Sequence, residues 1–130
     1  MGILARELRI GNLVWDDYSG EMIISQITHS TESVNFRKTW QLPDGWALCK
    51  DIKPIPLTEE WLLKFGFTYR IDTGFNGWYS TPILGESIRI YKIEQGWFKY
   101  HSSLTVIKYV HKLQNLYFAL TGEELIIKTP

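Results

Sequence analysis

The apolar positions fall into two periodicities, and the changes between them outline the chain. Leu8-Arg9-Ile10-Gly11-Asn12-Leu13-Val14-Trp15 runs into the turn formers Asp16-Asp17-Tyr18-Ser19-Gly20, and Met22-Ile23-Ile24-Ser25-Gln26-Ile27 resumes a β-branched run. This pattern predicts strand, turn, strand. Ser33–Arg37 alternates as a third strand, and Trp46-Ala47-Leu48, after the turn Pro43-Asp44-Gly45, reads as part of a fourth. Short strands separated by such turns predict an N-terminal SH3-like small β-barrel or curled sheet over residues 1–53.

Lys53-Pro54-Ile55-Pro56 then interrupts any sheet, because proline lacks the backbone donor and holds the chain extended. Thr58 offers an N-cap to a short helix over 58–65, with Glu59 and Glu60 at the positive end of its dipole. Gly66 suits the left-handed position after that helix, and Phe67 can then reach back to Leu62 in a Schellman ending. Residues 67–101 return to strand periodicity as an antiparallel meander. Asn76-Gly77 carries a two-residue hairpin signal, Ser87–Ile93 and Trp97–His101 read as strands, and Glu94-Gln95-Gly96 reads as the turn between them.

From Val106 the period changes to that of a helix. At 100° per residue, Val106, Tyr109, Val110, Leu113, Leu116, Tyr117 and Leu120 share one wide stripe, with Thr105 as a cap and Gly122 as the stop. Leu125-Ile126-Ile127 would add a terminal strand. The predicted class is α+β: barrel or curled sheet, short helix, meander and long C-terminal helix. It is read as one domain, with a β-rich lobe over 1–53 and a helix–meander–helix lobe over 57–130.

A second stripe on the last helix does not fit a solvated face. Ile107, His111, Gln114 and Phe118 lie about 120° from the first stripe, with Asn115 beside them. Two readings fit. Either the helix is covered on both sides and the polar groups are satisfied internally, or these five residues form a partner surface with Phe118 as its anchor.

Composition limits what the chain can do. Its 130 residues suit one domain, and 45% hydrophobic with 22% charged residues describes an ordinary globule. Fourteen Lys and Arg balance fourteen Asp and Glu, so no overall basic excess points to duplex nucleic acid. The lone Cys49 cannot form an internal disulfide. No apolar run reaches membrane-spanning length, and Arg6, Glu7 and Arg9 break any leader-like stretch, so the expected location is cytoplasmic. Arg6 also stands where an N-myristoylation motif wants Ser or Thr.

Six Trp, seven Tyr and six Phe serve either core filling or recognition. In the meander, Trp78, Trp97 and Tyr100 interleave with Arg89, Lys92 and Lys99; in the first sheet, Trp15, Phe36 and Trp40 accompany Arg37 and Lys38. Rings beside cations can stack bases and hold phosphates, which suits a small nucleotide or a single strand, and they also describe a half-buried sheet. Enzymatic constellations are missing. His29, His101 and His111 are widely spaced, no C-x-x-C, Walker loop or nucleophile elbow occurs, and the paired acids are explained by turns and helix starts. Neither a metal nor another cofactor is expected, and a binding role is favoured over catalysis.

Three blocks, "ELRIGNLVWDD", "PIPLTEEWLLKFGF" and "IKYVHKLQNLYFALTGEEL", are similar to an uncharacterised family of small proteins found in phages and prophage-like elements of gut bacteria. The resemblance implies an accessory protein acting stoichiometrically in the host cytoplasm during infection. It would bind a protein partner or a second copy of itself through an aromatic-rich surface, or sequester a small (cyclic) nucleotide used as a defence signal. It assigns no residue a role.

Overall fold

The computed structural model describes residues 2–37, 45–71, 77–81, 89–93, 96–100 and 105–127. Lys38, Trp40, Pro43, Asp44, Asn76, Ser87, Ile88, Glu94, Gln95 and His101, all named above, lie outside that set. The class is α+β, with two antiparallel sheets of four and five strands, a short helix and a C-terminal helix. Two compact units divide the chain, Met1–Ile55 with Tyr109–Glu124, and Pro56–Lys108 with Leu125–Pro130.

The first sheet has the order β1 (Leu13–Asp16), β2 (Gly20–Thr28), β3 (Ser33–Arg37), β4 (Gly45–Leu48). The turn between β1 and β2 forms because Asp16 Oδ2 accepts the Ser19 N–H at 3.0 Å, a local bond that Asp favours over strand pairing. In β2 the pairing with β3 shifts between Ile24 and Gln26. The extra residue, Ser25, makes a bulge that brings Ile27 to the face of Met22 and Ile24 despite the odd spacing. These side chains meet Val14, Val34, Phe36 and Ile52 in one cluster, and Cys49 sits among them as a small apolar group whose thiol burial pushes up. A 3-10 turn at Cys49–Asp51 returns the chain to β1, where Lys53 and Trp15 exchange two backbone bonds of 2.9 Å. No closed barrel forms among the described residues.

The second unit begins with α1 (Glu59–Lys64). Thr58 Oγ1 accepts the Trp61 N–H at 3.3 Å, the expected cap. The helix ends as a Schellman motif: Phe67 N–H bonds Leu62 O and Gly66 N–H bonds Leu63 O, both at 3.0 Å, with Gly66 at φ 89°. Thr58→Ala is expected to cost about 1 kcal/mol, read as a lower urea midpoint with unchanged slope.

The second sheet runs in sequence order: β5 (Thr68–Arg70), β6 (Trp78–Ser80), β7 (Arg89–Lys92), β8 (Phe98–Tyr100), β9 (Val106–Ile107). Its hairpin between β5 and β6 is not the two-residue turn expected at Asn76-Gly77. Arg70 pairs with Trp78, leaving residues 71–77 between the strands, and Gly77 does not have positive φ. Glycine is needed there for another reason: a Cβ would collide with the Tyr69 ring and Arg70 O.

The last helix, α2 (Val110–Thr121), is shorter than the sequence predicts. Val106 and Ile107 are strand residues, Thr105 is not the cap, and Tyr109 takes that position; both Val and Ile favour strands, and pairing with β8 outweighs the helical period. Gly122 ends the helix at φ 75°. Residues 125–127 form no strand. Helix α2 also belongs to the first unit, packed on β1, rather than to a 57–130 lobe. Among the described residues, no helix is long and apolar enough to cross a membrane.

Candidate ligand-binding face

The second stripe of the C-terminal helix does not exist as one surface. Ile107 is 2% exposed on β9, in the other unit from the helix. Gln114 is equally buried, its Oε1 accepting the Leu13 N–H at 2.8 Å and its Nε2 donating to Gly11 O at 3.1 Å. Asn115 donates to Glu7 O at 2.9 Å and accepts from Asn12 Nδ2 at 2.9 Å, while Asn12 Oδ1 accepts the Arg9 N–H at 2.7 Å. These amides clamp the helix to residues 7–13. Phe118 is 37% exposed, and the Arg9 guanidinium lies 3.6 Å from its ring centroid while also pairing with Glu124. The first stripe is also shorter than expected: Val110, Leu113 and Tyr117 are buried, but Leu120 and Val106 are exposed.

His111 remains unexplained by the clamp. It is 2% exposed, its ring stacks on Tyr109, and neither nitrogen has a hydrogen-bond partner among the described residues. Burial, helped by the Lys112 charge and opposed by Glu7, holds its pKa down at about 4.

In the second sheet, strand register assigns each side chain to a face. Tyr69, Tyr79, Ile90, Phe98, Tyr100 and Ile107 share one face, with Lys92 at its edge. That face is the more buried one, and it is closed at the edge by Lys92 Nζ on Glu59 at 2.8 Å. Burial and the neighbouring Glu59 carboxylate push the Tyr79 hydroxyl up to about 12.

The opposite face has a different chemistry. Thr68, Arg70, Trp78, Ser80, Arg89, Tyr91, Lys99 and Val106 occupy it, and the alternation continues to Trp97 and Lys108. Four cations and three aromatic rings therefore share a face that carries no carboxylate among the described residues. The Arg89 guanidinium lies 4.5 Å from the centroid of the Trp78 ring, and the Tyr91 ring centroid is 6.3 Å from that of Trp78. Lys108 Nζ sits 4.0 Å from the centroid of the half-exposed Trp97 ring. Such cation–ring contacts keep the cations beside the rings.

Of the five residues expected to stack bases or hold phosphate, Trp78, Trp97, Arg89 and Lys99 come together here. Tyr100 does not, because it is one residue out of register and turns to the other face, as does Lys92. Trp78 is buried and supports Arg89 instead of offering its own ring. Arg70, Tyr91 and Lys108 were not anticipated. Tyr91 could have been linked to Arg89 by alternation alone, but Lys108 is placed beside Trp97 only by the β8–β9 register.

The units also separate the charges that cancel in the whole chain. The first holds nine Asp and Glu against seven Lys and Arg, and the second holds five against seven. No three His, Cys, Asp or Glu side chains among the described residues are placed to hold a metal. An α+β protein with a cationic and aromatic sheet face is the class that this geometry defines. No protein-family model, curated protein or solved structure matches the chain.

Proposed function

We propose that the protein is a non-enzymatic, stoichiometric binder that presents the outer face of its second sheet to a single-stranded nucleic acid. The observation that carries this reading is the co-facial set Arg70, Lys99 and Lys108 with the rings Tyr91 and Trp97, on a face that holds no carboxylate among the described residues. An extended strand of nucleotides offers alternating rings and phosphates, and an antiparallel sheet offers side chains in rows at a similar spacing. Resemblance to the phage family supports an accessory role during infection, in the host cytoplasm. The first unit supports a further reading, that of an SH3-like small barrel left open along one side.

A fluorescein-labelled 20-nucleotide oligo-dT tests the proposal by anisotropy. The log–log salt slope is expected to be about −2, since Arg70, Lys99 and Lys108 release about 0.7 counterion each. Lys99→Glu combined with Lys108→Glu should weaken binding more than about tenfold without moving the melting temperature. Trp97→Ala should lose about 1–3 kcal/mol of affinity through lost stacking. Tight binding of a mononucleotide with no gain for the oligomer would instead favour capture of a small nucleotide at the Lys108–Trp97 pair. No binding to either would return the face to a protein partner or a second copy.

A further inference from the structure

A groove of about 660 Å³ opens in the first unit, far along the sequence from the residues just described. One wall is the turn Asp16–Ser19, and the other is the four consecutive residues Gly45–Leu48 of β4. Consecutive strand residues point to opposite faces, so a groove that touches all four runs along the edge of the strand, and it reaches Phe36 of β3 where Gly45 has no side chain to cover that ring. That edge is the outer one: β4 pairs with β3 and with no other strand among the described residues. Unpaired strand edges present backbone donors and acceptors at the spacing of an added strand.

The walls say what kind of strand would fit. Tyr18 is fully exposed and Trp46 is 69% exposed, two large rings held in water on opposite sides of the opening. Asp16, Asp17 and Asp51 border the groove with Lys50 and Lys53, and Lys53 is already engaged by Asp17 at 3.0 Å. The net lining charge is acidic, as is that of the whole unit. We infer that this edge takes an extended, basic segment of a partner protein by strand addition, with β4 supplying the backbone pairing, Tyr18 and Trp46 gripping the aliphatic stems of Lys or Arg, and the aspartates receiving their charges.

The inference is independent of the nucleic-acid reading and is tested with different probes. Anisotropy is measured with three fluorescein-labelled nonapeptides: alternating Val and Lys, alternating Val and Glu, and the Val–Lys peptide N-methylated at every residue, which blocks both of its edges. Binding of the first alone is expected, weakened about tenfold or more by Tyr18→Ser and by Trp46→Ser, whose exposed rings leave the melting temperature unchanged. Equal binding of the N-methylated peptide would overturn strand addition in favour of plain charge attraction. Equal binding of the Val–Glu peptide, or indifference to both ring substitutions, would overturn the site. A dimer in light scattering that Trp46→Ser dissolves would assign the edge to a second copy of the chain instead.

Discussion

Lowering the pH from 7 to 4 is expected to destabilise the protein by about 3 kcal/mol through His111 alone. The sign follows from its two pKa values. In the unfolded chain the imidazole takes up its proton near 6.5, whereas in the fold burial delays uptake to about 4. Between those values the unfolded state holds more protons, so each step down in pH favours it, and the loss is complete below the folded value. Glu7, held low by its Lys112 partner, adds a loss in the same direction at still lower pH, as its carboxylate is protonated.

The check is a series of urea titrations from pH 7.5 to 4 on the parent and on His111→Leu. The variant should show a flatter acid limb across 4 to 6.5. It should also gain stability at pH 5, because a leucine of similar bulk leaves no buried nitrogen unpaired. If both proteins lose stability in parallel, the imidazole titrates in contact with water and its burial is not what the fold imposes.

Gln114→Leu is expected to be the most damaging substitution in α2, costing about 2–4 kcal/mol. The amide answers the Leu13 N–H and Gly11 O, both in the segment that leads into β1. A leucine fills the space but orphans a buried backbone donor and acceptor, each worth about 1–3 kcal/mol when left unpaired. Asn115→Ala should cost less, about 1 kcal/mol, since that side chain is half-buried and water can replace it. Urea unfolding gives the magnitudes. Amide exchange at Leu13 gives the mechanism: its protection should fall in Gln114→Leu even at concentrations where the sheet remains intact. Unchanged protection would mean that the helix is held by its apolar stripe alone.

Both predictions concern a stretch whose residues looked like a site. Side chains such as His, Gln, Asn and Phe on one helical stripe are what an interface and a doubly covered helix have in common, and periodicity alone does not separate them. The geometry gives Gln114 and Asn115 internal partners and puts Arg9 over Phe118. It also removes Ile107 from the helix altogether.

Local chemistry made several elements legible in the chain itself. The Thr58 cap and the Schellman ending at Gly66 depend on residues within one turn of each other, so the bonds follow from their order. Strands β1 to β4 were visible for the same reason, in alternation broken by turn formers. Asn76-Gly77 misled because its dipeptide preference is weaker than the close approach of the Tyr69 ring to Gly77.

By itself, then, the sequence determined the class, most element positions and the helix ends. Register decided the rest: a shift of one residue turns a side chain to the other face, which is why Tyr100 and Lys92 leave the cationic face while Lys108 joins it. Charge was decided at the same level. A total of zero along the chain splits into an acidic unit and a basic one, and the imbalance widens when residues 109–124, with Lys112, Glu123 and Glu124, join the first unit, because electrostatic fields depend on which charges are neighbours in space.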